Sequence, residues 1–252
     1  MSFTTDLSGK KALITGASSA GFGRFFAQQL SAAGADVVVA SRRIDPLKSL
    51  VAELEGAGGK ADAVALDVTS TESVAAAFKA HGAFDIVVNN AGVSVAKPFL
   101  EQTDEDYDFV IDTNLKGVFN VGQAAAKALA AEGKPGSIIN IASITGLRQV
   151  NTITPYAVSK AAVIQLTKQM ALELARYRIR VNAIAPGYFE SDLTRDLFET
   201  EAGQAMIKRI PMRRLGDYAS LAGPLFLLAS DASSYMTGSV IAVDGGHLLN
   251  SL

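Results

Sequence analysis

Cysteine is absent from these 252 residues. That excludes thiol nucleophiles, disulfide frameworks and cysteine-ligated metals, and it suits a reducing compartment. Histidine is scarce as well: His81 and His247 are the only two, too few for a histidine-rich centre, so no metal is expected. No apolar run is long enough to span a bilayer, and the opening residues lack a charged stretch followed by an apolar one, so a soluble, cytoplasmic protein is expected. Charge of one sign is also missing. Twenty-three Lys and Arg stand against 25 Asp and Glu, interspersed, for a net charge of −2, which leaves no basic face for nucleic acid or a membrane. Repeats, low-complexity tracts and linkers are lacking too, so residues 1–252 read as one domain.

What is present is apolar and rhythmic. A 49% hydrophobic content supports a large core without covalent staples. Short β-rich runs at 11–15, 37–40, 63–68, 86–89, 137–142, 180–185 and 239–243 alternate with helical patterns at about 21–33, 45–57, 70–81, 104–131, 155–176 and 217–229. Several strands are apolar at consecutive positions, which means burial on both faces and a parallel sheet. The expectation is an α/β fold: a doubly wound (Rossmann) seven-stranded parallel sheet with helices on both faces. Residues 188–215 break the rhythm with polar, weakly periodic sequence and are expected to be a substrate lid. The helices at 104–131 and 155–176 are apolar on more than one stripe, with Tyr107, Phe109 and Phe119 in the first, so a homo-oligomer, a homotetramer, is expected. Arg176, Arg178 and Arg180 cluster where a helix ends, where cations favour the dipole; docking of an anionic carrier group is the other reading.

The first strand runs into Thr15-Gly-Ala-Ser-Ser-Ala-Gly-Phe-Gly-Arg24, and a helix follows at once. A glycine-rich strand-to-helix turn lets backbone approach a pyrophosphate and aims helix N–H groups at it. At the end of the second strand such a site reads the adenosine ribose: an acid there bonds the 2′-hydroxyl, and an arginine accommodates a 2′-phosphate. The chain has Ser41-Arg42-Arg43 and no acid, which predicts NADP(H).

Tyr156 and Lys160 stand four apart, on one face of a helix, just after a strand that ends near Ser143. A free phenol has a pKa near 10, and bringing it toward neutrality takes about 4 kcal/mol. One positive charge at ~4 Å supplies that much at an effective dielectric of ~20. Lys160 is therefore expected to acidify Tyr156.

Together these residues resemble the single-domain branch of the short-chain dehydrogenase/reductase family, and the resemblance spans nearly the whole chain. It is carried by Thr15-Gly16…Gly21-Phe22-Gly23, Asp67-Val68, Asn89-Asn90-Ala91-Gly92, Asn114, Ser143, Tyr156-x-x-x-Lys160, Pro186-Gly187 and Asp244-Gly-Gly246. The resemblance implies that Tyr156 is the general acid in ketone reduction and that Ser143 hydrogen-bonds the carbonyl oxygen. Lys160 would hold the nicotinamide ribose, and Asn114 would anchor a water that relays protons from Lys160. Gly16, Ser18, Ser19, Gly21, Phe22 and Gly23 would surround the phosphates, Ser41 and Arg42 the 2′-phosphate, and Asp67 and Val68 the adenine. Asn90, Ala91 and Gly92 would line the cofactor channel, while Pro186, Gly187, Phe189 and Ser191 would meet the nicotinamide end. The substrate would touch Ser143, Tyr156 and Tyr188. Two departures stand out. The loop has one residue more than the family spacing, which predicts a bulge near residues 18–20 because Phe22 cannot take a glycine's positive φ; and Ser191 replaces a common threonine.

The implied partner is a small ketone or alcohol of the 3-oxoacyl-thioester or broad ketone class. Tyr188, Phe189, Leu193, Leu197, Phe198 and Met206 form a candidate apolar wall that mildly favours acyl or aryl ketones over sugars. Enoyl reduction is disfavoured by the close Tyr–Lys spacing. The other class kept open is a non-catalytic NADPH-binding regulator.

Overall fold

A computed structural model describes residues 5–190 and 198–249. Its centre is a seven-stranded, all-parallel sheet in the order β3-β2-β1-β4-β5-β6-β7. The strands are β1 (Lys11–Thr15), β2 (Asp36–Ser41), β3 (Lys60–Ala65), β4 (Ile86–Asn89), β5 (Gly136–Ile141), β6 (Ile179–Pro186) and β7 (Val240–Val243). The chain lays β1, β2 and β3 outward, then returns to place β4 against the other side of β1. At that reversal the connections leave in opposite directions, and a crevice opens at the carboxyl ends of the strands.

Helices cover both faces. Leu13 of β1 and Val38 of β2 point to one side, packing with Val74 and Phe78 of α3 (Thr71–His81), Val121 and Leu129 of α5 (Gly117–Glu132), and Ala171 of α6 (Thr154–Leu174). Their neighbours Ile14, Val37 and Val39 point the other way, onto Phe26 and Leu30 of α1 (Phe22–Ala32), and Leu47 and Leu50 of α2 (Ile44–Gly56). The period-two alternation of a pleated strand thus feeds two separate cores. Also present are α4 (Asp104–Ile111), α7 (Glu201–Arg209) and α8 (Ala222–Ala229), the last supplying Leu225 and Leu228 to the α1 side. Among the described residues, no helix is long and apolar enough to cross a membrane.

Three expectations need correction. β3 lies at Lys60–Ala65 rather than 63–68, because it pairs with β2 alone, from Asp36 opposite Lys60 to Ser41 opposite Ala65; an edge strand half open to solvent carries a faint apolar signal. The single helix expected at 104–131 is α4 and α5 joined by a π-helical turn at Asp112–Lys116. The weakly periodic stretch contains α7, which Thr200 caps by accepting from the Gly203 N–H; it is nine residues long and buries only Gly203, too short an element to stand out in that stretch.

Candidate active site

Five polar contacts, four of them buried, brace α6 and tie it to the sheet and to Asn114. Asn89 of β4 donates to Asn140 Oδ1 of β5 at 2.9 Å, Asn140 donates to Thr167 Oγ1 at 2.9 Å, and Thr167 donates to the Val163 carbonyl at 2.8 Å. Ser159 Oγ donates to the Tyr156 carbonyl at 2.7 Å and receives the Asn114 amide at 3.1 Å. The loop after β5 then lies directly on α6: a Cβ at Gly146 would stand 2.7 Å from the Lys160 carbonyl carbon. Only glycine permits that approach, and it carries Ser143 to the start of the helix where Tyr156 stands.

Ser143 is poised as a donor. Its Oγ accepts from the Thr145 N–H at 3.1 Å and from Thr145 Oγ1 at 3.0 Å. With Thr145 donating to it, the hydroxyl can turn its own proton toward a substrate oxygen. Lys160 is 4% exposed; its Nζ donates to the Ile141 carbonyl at 2.7 Å and sits 5.6 Å from the Tyr156 ring centre. Asn114 is held in the π turn, where its Oδ1 accepts from Val93 N–H at 2.7 Å and its Nδ2 donates to Val93 O at 2.9 Å. A π turn swings one residue inward relative to a regular helix, which an apolar-periodicity reading cannot register. A Cβ at Gly92 would lie 3.3 Å from Asn114 Oδ1 and 3.6 Å from Lys160 Nζ, so the two polar groups share one small space.

The expected acidification of Tyr156 by Lys160 is not what these groups produce by themselves. Burial holds the phenol above its ordinary pKa, the Ser143 hydroxyl pulls it down, and Tyr188 pushes it up. Burial also lowers Lys160 to about 8, and no opposite charge counters that. The ammonium keeps its charge at neutral pH and gives it up only above about 8, yet the loss of solvation that depresses it also raises the phenol, and for Tyr156 burial is the larger effect. The phenol therefore keeps its proton, the form a donor needs.

The glycine loop has the shape a dinucleotide phosphate requires. Gly16 has φ +71°, and a Cβ there would stand 2.7 Å from Ala91 Cα; at Gly23 it would stand 2.5 Å from the Gly16 carbonyl. Asn90 Nδ2 ties the loop down by donating to the Thr15 and Gly16 carbonyls at 3.0 and 3.1 Å, and Thr15 Oγ1 accepts from the Asn90 and Ala91 N–H groups. No side chain caps α1. A cradle that a Cβ would fill, opening on uncapped helix N–H groups, fits a pyrophosphate. Ser19 and Ala20 are exposed, while Gly16 and Gly23 keep the close contacts. Phe22 starts α1 without positive φ, and its ring meets Phe189 and Tyr218, each at 5.3 Å.

Other residues fall less simply. Arg43 Nη2 reaches Ser18 Oγ at 3.3 Å, so the second arginine, not only Arg42, joins the loop. Asp67 is lowered chiefly by the Thr69 N–H, which with the Thr69 hydroxyl donates to its Oδ1, and the exposed Arg42 adds a smaller effect of the same sign. Val68 is buried against Gly117, and Gly187 lies against Asp244. Phe189 is turned away from the expected substrate wall into the Phe22 cluster, because Gly216 opens space for its ring. Ser191, Leu193 and Leu197 lie outside the described residues. Arg176 stacks on Tyr177, Arg178 donates to the Gly133 carbonyl, and Arg180 donates to the Leu228 and Ser230 carbonyls at the end of α8. All three arginines are thus engaged within the chain, but Arg178 and Arg180 meet the carboxyl ends of α5 and α8 rather than that of the Tyr156 helix, where the sequence reading put them. Ser159 and Thr145 were missed: isolated hydroxyls in a sequence give no hint of what they support.

The chain matches the enoyl-(acyl carrier protein) reductase family model over residues 16–247. It is 42% identical over 247 residues to a 3-oxoacyl-(acyl-carrier-protein) reductase of Thermotoga maritima, covering 96% of this chain and 99% of that one. To a 5-keto-D-gluconate 5-reductase of Escherichia coli it is 40% identical over 248 residues, covering 96% and 97%. A gluconate 5-dehydrogenase of Burkholderia cenocepacia, solved in complex with NADP and tartrate, superimposes with a TM-score of 0.93 at 39% identity, covering 98% of each chain.

Proposed function

The chain belongs to the short-chain dehydrogenase/reductase family, and on that premise we propose that it reduces a ketone to a secondary alcohol with Tyr156 as proton donor. It is an NAD(P)-dependent oxidoreductase acting on carbonyl compounds, and its dinucleotide is NADP(H), in keeping with the arginines after β2 and with the NADP-bound relative. When bound, the nicotinamide supplies the hydride. The residues of the chain do the rest. Gly16, Gly23 and the N-terminus of α1 receive the phosphates, Arg42 and Arg43 the 2′-phosphate, and Lys160 a ribose hydroxyl. Ser143 donates to the carbonyl oxygen and fixes it beside Tyr156, which gives that oxygen its proton. Lys160 and Asn114, gathered beside Gly92, return a proton toward the phenol.

The observation that carries this reading is the Ser143 hydroxyl, held by Thr145 and within hydrogen-bonding reach of a buried phenol that stays protonated. The matched family model bears an enoyl-reductase description, but the four-residue Tyr–Lys spacing supports carbonyl reduction. The test follows NADPH absorbance against ketones, 3-oxoacyl thioesters and an enoyl thioester. Decay with a ketone supports the proposal. Decay with the enoyl thioester alone, or binding without decay on any compound, would replace it with enoyl reduction or with a sensor.

Replacing Arg42 or Arg43 by alanine is expected to raise KM for NADPH about tenfold while that for NADH changes little. Equal kinetics with both cofactors in the two variants would remove the arginines from cofactor choice. We also propose a homotetramer, supported by Tyr107 and Phe109 on α4, Phe119 on α5 and Leu172 on α6, which stay exposed in the single chain. Light scattering should give four times the monomer mass. A monomer at micromolar concentration would overturn it.

A further inference from the structure

A second polar group stands at the same end of the sheet as the Ser143–Tyr156 pair. Arg148 follows β5, Tyr188 follows β6 and His247 follows β7, so three neighbouring parallel strands deliver them to the edge where such sheets take ligands. The Tyr188 and His247 rings lie 5.3 Å apart at 42°, and Phe198 meets Tyr188 edge-on at 6.2 Å. Arg148 Nη1 donates to the His247 carbonyl at 2.7 Å, which fixes the guanidinium beside that pair.

Packing alone does not account for the group. His247 is 9% exposed, and its Nδ1 is buried with no hydrogen-bond partner. Native interiors rarely leave such an atom unmet, because its desolvation is uncompensated. No carboxylate pairs with Arg148 among the described residues. Asp244, the nearest acid by sequence, commits Oδ1 to the Gly246 N–H at 2.9 Å and Oδ2 to the Leu248 N–H at 2.8 Å. The group is also in electrical reach of the reacting centre. Tyr188 raises the Tyr156 pKa; burial raises Tyr188 itself against the opposing Arg148 charge, and burial and then the Arg148 charge lower His247, with Asp244 and Arg209 acting on it in opposite directions.

Resting on the reading of Tyr156 as proton donor, we propose that Arg148, Tyr188 and His247 form a subsite for a carboxylate on the substrate, so that the ketone reduced is an oxo acid. A guanidinium matches a carboxylate in shape and charge, and the imidazole and phenol add two further hydrogen-bonding positions. A purely hydrocarbon tail would leave these groups unpaired, and a site built to hydrogen-bond rejects an analogue that cannot. This reverses the mild preference for apolar ketones drawn from the sequence. Of the aromatic wall expected there, Phe189 faces elsewhere and Phe198 packs on Tyr188.

The test is steady-state NADPH consumption by the full chain with 5-keto-D-gluconate, 4-oxopentanoate and methyl 4-oxopentanoate. Wild type should favour 4-oxopentanoate over its ester about tenfold or more in kcat/KM, and Arg148→Gln should cut that ratio about tenfold, chiefly through KM. His247→Leu, which leaves the guanidinium in place, should cut it about threefold or more. A wild type indifferent to the carboxylate, or variants that slow acid and ester in proportion, would overturn the subsite and leave the reductase standing. Should no compound be turned over, calorimetry of 4-oxopentanoate with the NADPH-loaded protein decides: binding weakened by Arg148→Gln keeps the subsite and removes the reductase reading. Absence of both turnover and binding removes both.

Discussion

Tyr156→Phe is expected to lower kcat for ketone reduction by a factor of about 10³, within the range that a positioned general acid contributes. The change deletes one hydroxyl from a ring that is otherwise retained, so the bracing of the helix by Asn140, Thr167 and Ser159 should survive, and NADPH should still bind within about threefold of wild type. The loss belongs to the chemical step because Ser143, held by Thr145, can steady the substrate oxygen but is placed to donate a hydrogen bond rather than to replace the proton source. Rapid-quench single turnover with NADPH in excess separates the two effects. A variant with near-normal single-turnover rate would end the assignment of Tyr156.

Lys160→Met is expected to remove activity and yet stabilise the protein at neutral pH. In the unfolded chain a lysine keeps its proton to about pH 10.4. In the fold burial brings Lys160 down to about 8. Between those values the unfolded state binds more protons, so this group makes stability rise with pH through the window; below it, the buried charge costs about 3 kcal/mol. Methionine removes that cost and leaves the Ile141 carbonyl without its donor, a loss of about 1 kcal/mol. The net gain at pH 7, roughly 2 kcal/mol, corresponds to a Tm higher by roughly 4–8 °C. The extra pH dependence between about 8 and 10.4 should vanish from the variant's melting curve. A lower Tm at pH 7 would show that the ammonium is a net stabiliser. In wild type, reduction should decline as pH rises through about 8, where Lys160 gives up the charge that helps hold the ribose and supply the phenol.

These expectations show where sequence and structure divide the work. The Tyr156–Lys160 spacing was legible because helical periodicity is local: residues four apart share a face wherever the helix lies. The meaning of that pair was not legible, since spacing says nothing of solvation. An exposed Lys160 would acidify its neighbour; the buried Lys160 is itself depressed, and the phenol stays protonated. Asn114 could be singled out by resemblance, but the π turn that presents it arises from contacts with Val93 and Ser159, 21 and 45 residues away. α7 gives little sequence signal because it is only nine residues long and buries Gly203 alone, and β3 reads late because an edge strand buries alternate positions weakly.

The sequence by itself determined the parallel α/β architecture, the glycine cradle and the acidic and basic groups available, since alternation, glycine spacing and residue chemistry are properties of neighbours along the chain. Only the tertiary structure decided that Arg148, Tyr188 and His247 meet, that Arg43 reaches Ser18, and that Phe189 turns from the substrate side. Those juxtapositions depend on which strands lie side by side and on how much water each group loses, and neither quantity is written in the distance between residues along the sequence.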